Sequence, residues 1–268
     1  MRHASRLLPG LLLCVSAQAA APACDKPLYL TFDTGHMGVA PLIADVLRRQ
    51  QVRATFFAAN ERTQTGDGSL GAHWAPWWKA RAAEGHEFAS HTLDHVYWRA
   101  DLPGAEPRFR VQPSAGEQQG RKMEWTAGQY CAQISAAARR LEDITGKKTL
   151  PLFRAPGGKT SRALLTAMQE CGYAHVGWSP AGFLGDELPS DKYSNATLLK
   201  QALRNIRAGD VLVAHLGIWS RQDPWAPAVL EPLIAGLKER GFCFATLREH
   251  PAYRDWITVA QRPAGLSK

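Results

Sequence analysis

The feature that most constrains the fold of this chain is the regular alternation of short apolar runs with longer helical patterns. Seven runs rich in β-branched and aromatic residues are predicted to be strands, at residues 28–33, 54–59, 87–91, 152–155, 175–179, 211–215 and 242–247. The six intervals between them contain segments with helical periodicity, at residues 39–50, 77–84, 126–145, 162–171, 196–207 and 227–240. Repeated β-α units of this kind form parallel sheets. Because seven strands are one fewer than the eight of the standard barrel, we predict an α/β fold, a distorted and about seven-stranded β/α barrel.

The first residues have the features of a secretory signal peptide. Arg2 and Arg6 precede an apolar run at residues 7–15, and residues 17–19, Ala-Gln-Ala, have the small-x-small pattern of a cleavage site. The apolar run is too short to span a bilayer. We therefore predict a signal peptide over residues 1–19, a periplasmic or secreted protein without a transmembrane segment, and a single domain over residues 20–268. Residues 99–124 are rich in proline and glycine and are predicted to form a long loop on the barrel rim.

Removal of the signal peptide leaves four cysteines, Cys24, Cys131, Cys171 and Cys243. An even number of cysteines in an oxidising compartment permits disulfides, and no CxxC spacing indicates a cysteine metal site. Cys24 precedes the first predicted strand and Cys243 lies in the last. Since those strands can be neighbours in a barrel, we predict a Cys24–Cys243 disulfide.

The charge balance does not indicate a nucleic-acid partner. Without Arg2 and Arg6 the formal net charge falls from +8 to +6. No block of like charges is present, and an exported protein does not meet nucleic acid as a regular partner. The positive charge could favour an anionic envelope polymer or membrane surface, but surface solubility is the simpler explanation. The sequence carries no signal of oligomeric state.

Polar side chains lie at the carboxyl ends of the predicted strands, where the reactive groups of β/α barrels collect. Asp33 ends the first strand, His91 the third and His215 the sixth, and Arg154 lies near the end of the fourth. Asp33 leads into a glycine turn, which would leave its carboxylate accessible; alternatively, it caps the following helix. The convergence of these polar side chains at one end of the barrel favours a functional site.

Two local patterns add chemistry to this site. His91 and His95 are four residues apart, so that on a helical turn both imidazoles can face one divalent cation. Thr92 stands where a zinc protease motif has glutamate, which excludes that motif. In the segment that runs from Arg154 to Gly158, the arginine can orient a carboxylate, and the Gly157–Gly158 backbone can present N–H groups to an oxyanion. Each pattern also has a purely structural interpretation. The histidines could be ordinary core or surface residues, and the glycine segment could be a plain turn before a helix.

Four segments, at residues 31–35, 91–95, 154–158 and 213–215, together resemble the motifs of the polysaccharide deacetylase family, the NodB-homology domain, in order and rough spacing. The resemblance extends from about residue 28 to residue 247. It implies a distorted β/α barrel that hydrolyses N-acetyl, and sometimes O-acetyl, groups on chitin-like, peptidoglycan or exopolysaccharide substrates.

The resemblance also implies a role for each motif residue: Asp33 as the base, His91 and His95 as metal ligands, Arg154 as the residue that holds the base, Gly157 as the amide near the oxyanion, and His215 as the acid that protonates the departing amine. The expected cofactor is a divalent metal. Histidine ligands favour Zn²⁺, with Co²⁺ or Ni²⁺ as alternatives. Such an ion acidifies water, so that a carboxylate can take its proton, and it stabilises the oxyanion.

The chain departs from the family pattern at three positions. Thr34 stands where the family has a metal-binding aspartate, which predicts weak metal binding, water in the ligand shell, or recruitment of His36. Ala181 stands where the family has an aspartate that supports the motif arginine, and Asp186 is the candidate replacement. Gly157 replaces an aromatic residue and so removes a wall of the pocket. These differences indicate a divergent subgroup with an unfamiliar substrate.

Trp219 and Trp225 flank the segment after His215 and are candidate platforms for a sugar ring, whereas Trp77 and Trp78 are expected to serve packing. The leading prediction is an exported metal-dependent hydrolase that removes N-acetyl groups from an acylated amino-sugar polymer or oligosaccharide of the cell envelope or of a chitin-like glycan. The alternatives are an O-deacetylase or deformylase on an envelope sugar, and a glycan-binding protein that has lost catalysis.

Overall fold

A computed structural model describes residues 24–262 of the protein. It contains ten strands: β1 Pro27–Asp33, β2 Thr55–Ala58, β3 Glu87–Ser90, β4 Val96–Leu102, β5 Arg108–Pro113, β6 Met123–Thr126, β7 Leu152–Phe153, β8 Ala174–His175, β9 Val211–His215 and β10 Cys243–Ala245. Its helices are α1 Ala40–Arg49, α2 Ala75–Ala83, α3 Ala127–Thr145, α4 Arg162–Glu170, α5 Asn195–Asn205, α6 Leu230–Glu239 and α7 Arg254–Ala260. All seven predicted strands are present, whereas α7 was not predicted. The predicted signal peptide lies outside the described residues.

The seven predicted strands form one parallel sheet that curls into a distorted barrel. β1 lies at its centre, with β9 on one side, β2 on the other, and β10 beside its first residues. The sheet continues from β2 through β3 and β7 to β8. An irregular segment fills the gap between β8 and β9, where the Leu184 N–H donates to the Val213 carbonyl and the Val213 N–H donates to the Gly182 carbonyl. The prediction of an irregular barrel is therefore confirmed.

Strand alternation separates the two faces of the barrel wall. On β1, Leu28, Leu30 and Phe32 belong to the large core between the sheet and the outer helices. Tyr29 on the same strand belongs to a second cluster inside the barrel, against which α7 packs through Ile257. Because successive side chains of a strand point to opposite faces, the position of Tyr29 also predicts an inward direction for Asp33, at the carboxyl end of β1.

The predicted rim loop at residues 99–124 is wrong, because most of this segment forms a three-stranded antiparallel sheet. β5 pairs with both β4 and β6. Phe109 and Val111 are buried against α3 and α4, while Arg108 and Arg110 are exposed. This alternation is the signature of a half-buried strand. The prolines and glycines that suggested a loop lie mainly in the two turns and at the strand ends.

The helix α3 begins and ends as its sequence predicts, and it holds part of the site. Thr126 and Gln129 form the expected capping box, and Gly146 ends the helix in a left-handed conformation, with φ of 70°. Gln133 binds the turn that follows β3: its carbonyl accepts from Leu93 N–H at 3.0 Å, and its side-chain oxygen accepts from Asp94 N–H at 2.9 Å. The helix therefore fixes the backbone of the histidine segment.

Two disulfides join distant parts of the chain. Cys24 bonds to Cys243, as predicted, with Cα atoms 6.0 Å apart, and this bond links the start of β1 to β10. Cys131 on α3 bonds to Cys171 at the end of α4, with Cα atoms 6.3 Å apart. Within residues 24–262, no helix combines the length and the apolar character needed to cross a membrane.

Candidate active site

The register of the sheet brings the predicted site residues to one end of the barrel. Asp33 on β1 is the direct partner of His215 on β9. Ser90 on β3 is the partner of Phe153 on β7, so that the residues that follow them, His91 and Arg154, are neighbours. The predicted convergence of these four side chains is therefore found in the structure.

Asp33 is buried and is held by Arg154. The guanidinium donates from Nη1 to Asp33 Oδ1 at 2.6 Å, and the other carboxylate oxygen lies 3.6 Å from His91 Nε2. Burial raises the pKa of Asp33, but the charges of Arg154 and the histidines lower it by more, so that the pKa lies below its usual value. At neutral pH this carboxylate is ionised.

Backbone carbonyls, and not an aspartate, support Arg154. Its Nε donates to the Val176 carbonyl at 3.1 Å and its Nη2 to the Gly177 carbonyl at 3.3 Å. The guanidinium carbon also lies 4.2 Å from the centre of the Phe57 ring, a cation–π contact. The hypothesis that Asp186 supports Arg154 is wrong, because Asp186 binds His215.

His215 is paired with the buried carboxylate of Asp186. The imidazole Nδ1 lies 3.1 Å from Asp186 Oδ1, and the His215 backbone N–H donates to Oδ2 at 2.6 Å. Burial lowers the pKa of His215, but the Asp186 charge and hydrogen bond raise it by more, to about 9. His215 is therefore protonated at neutral pH, and its Nε2 is on the side of Glu187, 3.9 Å from that carboxylate. An imidazolium in this position can act as a general acid.

The histidines His91 and His95 lie together, although not on a helical turn as expected. Thr92 and His95 have left-handed backbone conformations, with φ of 60° and 48°, and the segment is a tight turn. The two imidazole centres are 4.8 Å apart. The turn is held by the Thr92 hydroxyl, which accepts from Val96 N–H at 2.7 Å.

Both histidines use Nδ1 in a hydrogen bond and leave Nε2 for a ligand. His91 Nδ1 lies 2.9 Å from the Arg154 carbonyl, and His95 Nδ1 lies 2.6 Å from the Ser114 hydroxyl. Such outer contacts fix the tautomer and the ring direction of metal-binding histidines. Burial lowers the pKa of His91 to about 4, so that the ring is neutral, as a metal ligand must be.

The structure does not bring His36, the expected substitute for the missing aspartate, to the histidine pair. The Thr34 hydroxyl is buried and accepts from Ala59 N–H at 3.0 Å. His36 does not join the histidine pair: its Nδ1 accepts from Gly38 N–H at 2.9 Å, and its ring lies edge-on to Trp219, 5.0 Å between centres. Glu61, which sequence analysis did not single out, lies with its Oε1 4.0 Å from His95 Nε2. No three histidine, cysteine, aspartate or glutamate side chains within residues 24–262 converge closely enough to form a complete metal centre.

Gly157, the expected oxyanion amide, lines the cavity, and the pocket keeps an aromatic wall. Gly157 has a φ of 68°, a conformation that favours glycine, and a Cβ atom there would lie 2.8 Å from the ring of Tyr97. The Tyr97 ring, which comes from β4, thus occupies the space beside Gly157. The prediction that the pocket loses this wall is wrong, because the unpredicted antiparallel sheet supplies it.

Five of the site residues line one cavity of about 650 Å³: Asp33, His91, His95, Gly157 and His215. Trp219 lies on its rim with 61% of its surface exposed, 5.8 Å from the Arg62 guanidinium. The position of Trp219 suits an aromatic platform for a sugar. Trp225 is only 3% exposed and belongs to the core, so its proposed role as a platform is wrong. Trp78 is buried in the same core, as expected.

Comparisons with known proteins agree with this geometry. The sequence profile of the family described as polysaccharide deacetylase matches residues 20–176. The chain is 26% identical over 230 residues to a chitooligosaccharide deacetylase of Azorhizobium caulinodans, covering 82% of this chain and 92% of the relative. It is also 26% identical over 237 residues to a peptidoglycan-N-acetylglucosamine deacetylase of Bacillus cereus, covering 87% and 92%.

The fold is similar to that of a family 4 acetyl xylan esterase from Clostridium thermocellum in complex with a cobalt ion. The TM-score is 0.63 at 20% identity, over 86% of this chain and 92% of the other. This likeness concerns the fold, whereas the profile match concerns the sequence and spans more than half of the chain. The protein therefore belongs to the polysaccharide deacetylase family.

Proposed function

We propose that this protein is an exported, metal-dependent hydrolase that removes N-acetyl groups from the amino sugars of a cell-envelope or chitin-like glycan. The observation that carries the proposal is the pair of oppositely charged groups at one register position of the barrel. Asp33 is ionised beside Arg154, and His215 is protonated beside Asp186. Groups whose environments separate their pKa values in this way serve as the base and the acid of a hydrolysis.

The histidine pair is the proposed metal site. The Nε2 atoms of His91 and His95 would hold the ion, with Zn²⁺ as the expected metal and Co²⁺ or Ni²⁺ as alternatives. When bound, the ion supplies Lewis acidity, which polarises the acyl carbonyl and acidifies water. Two histidines alone, with no aspartate at Thr34, would hold the ion more weakly than a site with three strong ligands does.

The remaining steps are assigned to side chains of the chain itself. Asp33 takes a proton from the attacking water while Arg154 holds its carboxylate in place. The Gly157 N–H faces the oxygen on which negative charge develops. His215 then donates its proton to the departing nitrogen. An amine leaves poorly unless it is protonated, so that an imidazolium with a pKa of about 9 suits an amide substrate.

Several features support export and a single domain over residues 20–268. The sequence begins with a signal-peptide pattern over residues 1–19, and the two disulfides suit an oxidising compartment. The first profile residue is 20, directly after the proposed cleavage site. The relatives from A. caulinodans and B. cereus are named for deacetylation of glycans, which supports an acylated glycan as the substrate.

The test is the release of acetate by purified protein, with and without added Zn²⁺ or Co²⁺, from N-acetylglucosamine oligomers and from an O-acetylated oligosaccharide. Asp33→Asn and His91→Ala should each reduce release from the N-acetylated substrate by at least about 100-fold. The matched controls Asp45→Asn and His73→Ala change a half-buried and an exposed residue, both outside the cavity, and should retain activity. Release from the O-acetylated substrate alone would indicate an esterase. Folded protein that binds the oligomers but releases no acetate would indicate a glycan-binding protein.

A further inference from the structure

We infer that Glu61 supplies the carboxylate ligand of the proposed metal site, in place of the aspartate that the family has at the position of Thr34. This inference rests on the proposed function. Thr34 directly follows β1, whereas Glu61 lies in the segment that follows β2. The proposed carboxylate ligand therefore comes from a different loop. Glu61 lines the cavity together with His91 and His95.

The first argument is the distance between the ligand atoms. Glu61 Oε1 lies 4.0 Å from His95 Nε2. Two ligand atoms that each bind one zinc ion at 2.0–2.1 Å in a tetrahedral site are roughly 3.3 Å apart. The two atoms are thus about 0.7 Å further apart than in such a site, and the inference requires the Glu61 side chain to move by this amount when the ion binds. The Nδ1 contacts of both histidines leave their Nε2 atoms to complete the set.

The second argument is that the Glu61 carboxylate lacks a cationic partner of its own. Its Oε2 is buried without a hydrogen-bond partner, although the side chain as a whole is 20% exposed. In the part of the chain that the structure describes, no lysine or arginine lies within ion-pair distance of Glu61; the single partner is His95. A buried carboxylate oxygen without a partner is costly. A divalent cation between the two side chains would remove this cost.

The third argument is the rigidity of the backbone that carries Glu61. The Glu61 N–H donates to the Ser69 hydroxyl at 2.9 Å, and the Ser69 N–H donates to the Glu61 carbonyl at 2.9 Å. The Ser69 hydroxyl itself donates to the Ala59 carbonyl at 2.5 Å. Thr34 adds its bond to Ala59 N–H, which ties the end of β1 to this segment. A ligand held by a fixed backbone suits a metal site better than one on a mobile loop.

The experiment measures the affinity of the metal-free protein for Zn²⁺ by competition with a chromophoric chelator, and the absorption spectrum of the Co²⁺ form. Glu61→Gln keeps the shape of the side chain and removes its charge, and it should weaken Zn²⁺ binding at least about 10-fold. It should also change the Co²⁺ spectrum, because one ligand is lost. Adding Thr34→Asp to Glu61→Gln should restore much of the affinity.

The matched control is Glu187→Gln, which removes the cavity carboxylate beside His215 and should change Zn²⁺ affinity less than about twofold. Thermal unfolding of the metal-free forms checks that each variant folds. Parental Zn²⁺ affinity in Glu61→Gln overturns the inference, and if the parent is a metal-dependent deacetylase the proposed function still stands. A parent that binds neither Zn²⁺ nor Co²⁺ overturns both.

Discussion

Replacement of Asp186 by asparagine should move the alkaline limit of activity, because Asp186 sets the charge of His215. The carboxylate contacts both the imidazole Nδ1, at 3.1 Å, and the His215 backbone N–H, at 2.6 Å. Burial lowers the pKa of His215, but Asp186, with smaller contributions from Asp33 and Glu187, raises it from an ordinary 6.5 to about 9. In Asp186→Asn the effect of burial dominates, and we expect the pKa to fall to 6.5 or below.

The magnitude follows from the fraction of His215 that carries a proton. At pH 8 a group with a pKa of 9 is about 90% protonated, whereas one with a pKa of 6.5 is about 3% protonated. If His215 donates the proton to the leaving amine, kcat/KM at pH 8 should fall roughly 30-fold in Asp186→Asn. The loss should become smaller as the pH is lowered towards 6.

The free energy of unfolding should also depend on pH through the protonation of His215. The folded pKa of His215 is higher than its unfolded value, so that its protonation stabilises the fold fully below pH 6.5 and this stability is lost as the pH rises through 9. A shift of this size corresponds to roughly 3 kcal/mol. Asp186→Asn should remove most of this pH dependence from the free energy of unfolding, measured by urea titration between pH 6 and pH 9.

The assay is a full pH–rate profile for the parent, for Asp186→Asn and for Glu187→Gln. Glu187 is the control because it is a neighbouring carboxylate that is half-exposed and affects His215 least among the groups that raise its pKa. Its replacement should move the alkaline limb only slightly. The reasoning is refuted if Asp186→Asn keeps the parental alkaline limb, because His215 would then not be the acid or Asp186 would not control it.

Three further predictions concern other parts of the site. Arg154→Met should destabilise the fold by about 3–5 kcal/mol in chemical denaturation, because it leaves Asp33 buried and unpaired. In the protein that remains folded, the pKa of Asp33 should rise, and the acid limb of the pH–rate profile should move to higher pH. Gly157→Ala should lower the free energy of unfolding by about 1 kcal/mol or more and should reduce kcat. The left-handed backbone at this position is unfavourable for alanine, and the new Cβ would clash with the Tyr97 ring. Unchanged kinetics would contradict the placement of this amide at the oxyanion. Trp219→Ala should raise KM for glycan oligomers several-fold with little change in kcat, and an unchanged KM would exclude Trp219 as a sugar platform.

The sequence predicts the barrel and the motif residues because both depend on local patterns. Seven apolar runs correspond to seven strands, and the polar residues at their ends meet because parallel strands share one edge. The antiparallel sheet from β4 to β6 was missed because the proline and glycine content of its turns obscured the alternation of Phe109 and Val111 with exposed arginines.

Contacts between distant segments were harder to predict. Asp186 and His215 are brought together by the irregular segment between β8 and β9. Asp186 was predicted from the sequence as a support for Arg154, because no local pattern links it to His215. Glu61 lies in a loop without periodicity, and the only sequence signal for it was the absence of an acid at Thr34. The sequence signal for Tyr97 is indirect: Gly157 replaces an aromatic residue, and the Tyr97 ring fills the space beside it.

The central position of β1 has a consequence for the order in which the protein can fold. The partner of Asp33 on β9 is His215, 182 residues further along the chain. β1 can pair with β2 early, but its other edge stays open until nearly the whole chain is available. Pairing over such a separation is slow and exposes a strand edge meanwhile. Asp33 and His215 therefore cannot come into register before β9 is available, and a chain that ends before β9 would lack this pair.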